Sequence, residues 1–313
     1  MARKAIPLAS IALVLIYAIQ FISARYSLES NITPFGLTIL RFVVCGIFFV
    51  PFLYFTGSTQ KLRDVGLLKA FVLSFLAGFP YLMVINTGIS LTSAGYVATV
   101  GPGSIVLFSF LLPFLFLQER PDLAALLSTL LICAGIGLFV YNTLLVTELS
   151  STGTALFVLQ GLMFSLFGVL TRRWNIDPLT ATAAVSLVSC IPAILLFWVA
   201  ETGYAKASAS ELGFQAVSQG LLAGIAAVAI FTFIVREIGP QRASLVMPSV
   251  PIITTIGGFF LLDETLTVIQ LLGLGLLALG MATPGIMSLS NLSRKTNDLS
   301  PETKTHQPME RVK

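Results

Sequence analysis

Histidine is nearly absent from this chain of 313 residues, since His306, close to the C-terminus, is the only one. Catalysis through imidazole, or through a serine or cysteine activated by histidine, has no partner in the body of the chain. Charge is scarce too, at 10% Asp, Glu, Lys and Arg, and no carboxylate stands at the centre of a long apolar run. A membrane proton relay normally uses such a group. Were the chain a membrane carrier, it would be either an exchanger or uniporter, or would couple through residues near helix ends such as Glu29 or Glu237. No G-x-x-x-x-G-K-[ST] string occurs, so ATP hydrolysis at a P-loop is excluded and a gradient must supply the energy. Cys45, Cys133 and Cys190 all fall inside apolar runs, where they read as small core residues rather than a disulfide framework. Neither a metal site nor a cofactor is expected, and the chain is not read as an enzyme.

What fills the chain is apolar surface. The hydrophobic fraction is 56% and the mean hydropathy +0.94, values that a soluble domain with a solvated surface hardly reaches. A span needs about 20 mostly apolar residues. Ten candidates follow, at roughly 6–24, 34–56, 66–86, 93–117, 122–141, 153–171, 178–199, 213–235, 241–262 and 267–288. No loop between them exceeds about a dozen residues, which leaves no room for a soluble catalytic domain. The first run follows Arg3 and Lys4 like a signal peptide, but Ala24-Arg25-Tyr26 is a poor cleavage context, so it is kept as a span. With the N-terminus in the cytoplasm, twelve basic residues near span ends lie inside and only Arg25 and Lys206 outside. That imbalance predicts that both termini are cytoplasmic. The pI near 9.0 is then a topology signal with no nucleic-acid patch implied. From residue 291 onward the chain turns polar and reads as a disordered cytoplasmic tail, 291–313.

The chain is also written twice. Asn31-Ile32-Thr33-Pro34 and Asn175-Ile176-Asp177-Pro178 stand 144 positions apart, while Glu119 with Glu264 and Gly135 with Gly280 stand 145 apart. The two units, 1–147 and 148–290, hold five spans each. An odd number turns the second unit upside down, so the expected fold is an all-α integral membrane protein of ten transmembrane helices in two inverted five-helix repeats.

Spans four and nine correspond, and each carries helix breakers: Gly101-Pro102-Gly103-Ser104 in one, Met247-Pro248-Ser249-Val250-Pro251 in the other. Proline removes a backbone donor and frees carbonyls, which lipid tolerates only where they face protein or a wet cavity. Paired breaks of this kind point to a transporter's binding site. Tyr96, Thr99 and Gly103 share one helical face and map onto Gln241, Ser244 and Pro248, which places the Thr99 and Ser244 hydroxyls near mid-membrane. The alternative is that these residues only bend the helices and allow close packing. Span three adds Phe79-Pro80-Tyr81, and the first spans of the two units bring Tyr17 with Gln20 and Gln160 with Phe164 into the bilayer. The buried amides are either substrate contacts or interhelical hydrogen bonds.

Arg41 lies seven residues beyond Pro34, about 10 Å into span two. An intramembrane charge is a candidate for substrate or gating work, or else it snorkels to the interface; its repeat mate is Val185. Glu119 and Glu264 follow the ends of spans four and nine, in places that suit capping or gating. Gly135, Gly137, Gly273, Gly275 and Gly280 read as packing surfaces.

The ten spans, Arg41-Phe42, the A-x-x-x-A of Ala94 and Ala98, the Leu117-Gln118-Glu119 and Leu262-Asp263-Glu264 ends, and Gln270-x-x-Gly273 together resemble the drug/metabolite transporter superfamily, EamA type, over residues 5 to about 288. Within it the chain is most similar to the bacterial aromatic amino acid exporter branch. That resemblance implies a multi-pass protein of the bacterial inner membrane that exports amino acids, aromatic or bulky and apolar, by alternating access around a central cavity. Broad efflux of drugs or metabolites by the same fold is the alternative. Amino acids and lipid are the expected partners, with no ATP, and the chain is expected to be a monomer or homodimer. No Lys or Arg cluster within the spans favours a phosphate ester.

Overall fold

The computed structural model describes residues 2–56, 59–92, 94–117, 123–146, 151–238, 246, 249–263 and 267–298. Among them every regular element is helical. Six helical stretches are long and apolar enough to cross a membrane: Ala5–Ser30, Pro34–Pro51, Leu67–Ser90, Ser151–Arg173, Pro178–Phe197 and Ala209–Phe231. Four shorter apolar helices accompany them, Thr99–Ser109, Leu126–Leu138, Ser249–Leu261 and Val268–Thr283. The bundle's exterior is apolar as lipid demands, with Leu67 89% and Trp198 83% exposed.

The repeated string at 31 and 175 is a helix restart. Helix α1 (Ala2–Ser30) ends as the Asn31 and Ile32 amides donate to Ser27 O, and α2 (Pro34–Thr56) begins three residues later. Thr33 Oγ1 accepts from the Gly36 amide at 3.1 Å. In the second copy Asp177 Oδ1 accepts from the Thr180 amide at 3.0 Å. Proline follows both caps at the first helical position, where its missing donor is not needed. Ile32 and Leu37 flank the first cap and are both buried, the arrangement of a hydrophobic staple.

Short α3 (Thr59–Val65) leads into α4 (Leu67–Ala77), which stops at Gly78 and restarts as α5 (Phe79–Ser90). After α6 (Ala94–Leu117) and α7 (Leu123–Val146) come α8 (Ser151–Arg173) and α9 (Pro178–Phe197). Then α10 (Ala209–Gln215) runs into a π-helical segment, Ala216–Ala226, and into α11 (Ala227–Ile238). Helices α12 (Ser249–Leu261) and α13 (Val268–Asp298) complete the described chain. Helix α13 continues to Asp298, beyond the point at which the last span was expected to end.

Helix packing follows a reciprocal scheme. The α7–α13 and α2–α9 pairs join helices at matching places in the two sequence units. So does the α6–α12 pair, and three further contacts occur in exchanged couples: α6 packs on α8 as α12 packs on α1, α5 on α8 as α11 on α1, and α4 on α9 as the π segment on α2. The main core lies among α1, α2, α4, α5, α6 and α8, around Leu37, Phe42, Leu73, Phe79, Tyr81 and Phe157.

Candidate functional site

Two irregular helices face the interior, and each is held by one side chain from the other sequence unit. At the Gly78 break the freed Phe79 amide donates to Ser189 Oγ at 3.0 Å, and Ser189 Oγ lies 2.7 Å from Ser74 Oγ. Cys45, 144 positions before Ser189, points its thiol at Gly220 O in the π segment at 3.7 Å. Proline at 80 therefore sits in the first turn of α5, and the break comes from Gly78 before it. The π segment, without proline, is the counterpart in the second unit. Such bulges are frequent at functional sites.

Beside these breaks lies a group of aromatic and polar side chains. Tyr81 is buried and stacks on Phe164, ring centroids 5.6 Å apart, with Phe167 a further 5.7 Å from Phe164. Gln160 is 3% exposed and rests against Gly101, where a Cβ would stand 2.9 Å from Gln160 Oε1. Arg41 turns into the bundle instead of snorkelling outward: its Nη1 is buried, and Gly224 leaves the space that its Nε and the Cys45 thiol occupy. Tyr17 packs between two core clusters, and Gln20, one turn further along α1, is 8% exposed. Of the residues expected to line the cavity, Gln20 and Gln160 are buried, while Phe164 is half-exposed and stacks on Tyr81.

Other candidates point elsewhere. Tyr96 spends its hydroxyl on Thr154 Oγ1 at 2.7 Å and lays its ring 6.2 Å from Phe157, both on α8. Gly103 faces Ile136 and Leu277, which a Cβ would meet at 2.8 and 3.0 Å, so it seats α6 on α7 and α13. Thr99 is fully buried between them. Phe79 is buried with its ring 6.2 Å from Phe42, while Pro80 and Pro102 are half-buried. Pro251 falls in the first turn of α12, where it breaks nothing. Gln241, Ser244, Met247, Pro248, Glu119 and Glu264 lie outside the described residues.

A polar seam between α1 and the π segment was not anticipated. Gln215 Nε2 donates to Ser23 O at 2.7 Å and Ser27 Oγ at 2.9 Å, Gln219 Nε2 donates to Gln20 O at 2.9 Å, and Ser23 Oγ meets Ser218 Oγ at 3.1 Å. Ser27 and Ser30 also donate to Glu211. The i, i+3, i+4 spacing of Gln215, Ser218 and Gln219 in an apolar run was the available signal. Helix α12 buries Thr254 and Thr255 as well.

The sequence profile of the EamA-like transporter family matches this chain twice, over residues 4–141 and 151–283. A solved structure titled only as the crystal structure of a protein is 20% identical, with 94% of this chain and 99% of that one covered and a TM-score of 0.63, which establishes a common fold. No curated protein matches the sequence. The two profile matches fall on the two sequence units and take in nearly all the described helices, so the chain belongs to the EamA-like transporter family of the drug/metabolite transporter superfamily, a multi-pass membrane transporter of small molecules.

Proposed function

We propose that this transporter exports amino acids, aromatic or bulky and apolar, across the bacterial inner membrane. In this reading it crosses ten times as two inverted repeats, 1–147 and 148–290, with both termini cytoplasmic and 291–313 as a tail. The exchanged helix pairs support the inverted repeat, because each pair and its couple differ only in which unit supplies which helix. Alternating access then follows from swapping the two arrangements around a fixed centre.

One observation carries the substrate class: the half-exposed ring of Phe164 stacks on the buried Tyr81 and meets Phe167 at 5.7 Å, on the helix face that also carries the buried Gln160 amide. Aromatic faces bind an apolar side chain and the polar groups bind its charged end. The deciding experiment reconstitutes the full chain into liposomes loaded with labelled phenylalanine, tryptophan, threonine or a cationic dye, with and without a pH gradient. Saturable efflux selective for aromatic amino acids is expected. Efflux of the dye alone would overturn the reading in favour of broad efflux.

A further inference from the structure

Three side-chain atoms in this interior are left open. Arg41 Nη1, Gln20 Oε1 and Gln160 Oε1 are all buried, and none has a hydrogen-bond partner among the described residues. An unbonded buried polar group costs about 1–3 kcal/mol, more when charged. Native structures keep such groups where something else binds them.

The three belong to one neighbourhood. A Cβ at Gly224 would stand 3.9 Å from Arg41 Nε and 3.3 Å from Gln219 O, and the Gln219 side chain donates to Gln20 O; Gln160 lies one turn before Phe164, which stacks on Tyr81, and Tyr17 and Tyr81 pack in the same core cluster. Among the described residues no salt bridge neutralises the guanidinium. In the helices packed around it the acidic residues are Glu29, Glu211 and Glu237, all near helix ends; Glu29 pairs with Arg25, and Glu211 accepts from Ser27 and Ser30. The open set is therefore one cationic donor and two neutral acceptors beside an aromatic surface. A cation would be repelled by it, and a plain anion would leave both carbonyls unmet.

We infer that the cargo is held as a zwitterion, its carboxylate on Arg41 and its ammonium at the carbonyl oxygens of Gln20 and Gln160, with the side chain against Tyr81 and Phe164. This rests on the amino-acid reading above and adds which residue takes which end.

The test uses the full chain in liposomes exporting labelled phenylalanine against three competitors: unlabelled phenylalanine, phenylalaninamide, which lacks the carboxylate, and 3-phenylpropionate, which lacks the ammonium. In the wild type both analogues should compete at least about tenfold more weakly than phenylalanine, as loss of one charge-assisted contact implies. In Arg41→Gln the gap between phenylalanine and its amide should close to within about twofold. If Arg41→Gln elutes as aggregate, Arg41→Lys takes its place, because the lost planar fork should still narrow the gap. Equal competition by the amide in the wild type, or an unchanged gap in the variant, would overturn the inference while leaving amino-acid export standing. A wild type with no saturable phenylalanine export would instead overturn the function reading.

Discussion

Ser189 holds two helices at once, because its hydroxyl takes the amide freed at the Gly78 break and a hydrogen bond with Ser74. Removing it strands a buried N–H, which costs about 1–3 kcal/mol. Ser189→Ala should therefore lower the thermal transition in detergent measurably. Cys45→Ala should cost less, since a thiol is a weak donor and its contact with Gly220 O is long at 3.7 Å. A Ser189→Ala protein as stable as the wild type would show that the break needs no partner. Glycines make the same point by contact. A Cβ at Gly135 would stand 2.6 Å from Gly273 O, and one at Gly280 2.9 Å from the Ile132 amide, whereas Gly137 and Gly275 have open space. Gly135→Ala and Gly280→Ala should destabilise by about 1–3 kcal/mol through overpacking, while Gly137→Ala and Gly275→Ala should be neutral or stabilising by up to about 1 kcal/mol. Unfolding of the four variants side by side checks the ordering. All five of these glycines read alike in the sequence, and only the helix crossing separates them.

At the scale of elements, the start of α9 carries a pH signature outside the membrane. Burial pushes the Asp177 carboxyl up, but hydrogen bonds from the Thr180 hydroxyl and amide, the Lys61 charge and the Leu179 amide outweigh it and hold it below the usual carboxylate value. A depressed carboxylate stabilises the fold fully above its unfolded value, about 3.9, and that contribution is lost as pH falls through the lower folded value. Asp177→Ala should cost about 1 kcal/mol at neutral pH as a lost cap. The gap to wild type should narrow on acidification below about pH 4. Thermal scans of both proteins across that range test it, and a gap that stays constant would mean the charge is irrelevant to the cap. The sequence shows this string only as a repeat marker, although Asn-Ile-Thr/Asp-Pro combines a turn residue, an apolar staple, a cap and a first-turn proline in four letters. The break in span three was assigned to proline and lies instead at Gly78, where only the neighbouring Ser189 rescues the backbone. The π segment left no local mark, since its residues suit an α-helix equally well.

For the molecule as a whole, the sequence carried the repeat and the apolar runs, since both are matters of period and composition. It could not carry how α6 is rotated, which sends Tyr96 to α8 and Gly103 to α7 and α13. That rotation is set by contacts between distant segments. Nor did it reveal that the seams on either side of the centre differ. The α1–π seam is polar, joined by Ser218, Gln219 and the preceding Gln215, while α4 and α8, its counterpart under the repeat, contact each other within the main apolar core, with Lys69 over the Trp174 ring at 5.7 Å just past the end of α8. Polar contacts can be exchanged for water at little net cost, so the α1–π seam is the one suited to open as a gate, on the outer side in the proposed orientation. Its Ser23 and Ser218 oxygens are 3.1 Å apart, close enough for a disulfide between cysteines at these positions. Ser23→Cys with Ser218→Cys, in a background with the exposed Cys133 changed to serine, should export normally when reduced. Oxidation should abolish export and a reductant should restore it, with each single cysteine unaffected. Full export by the cross-linked protein, with the bond verified by mass, would mean that the seam stays shut through the cycle and that the gate lies elsewhere.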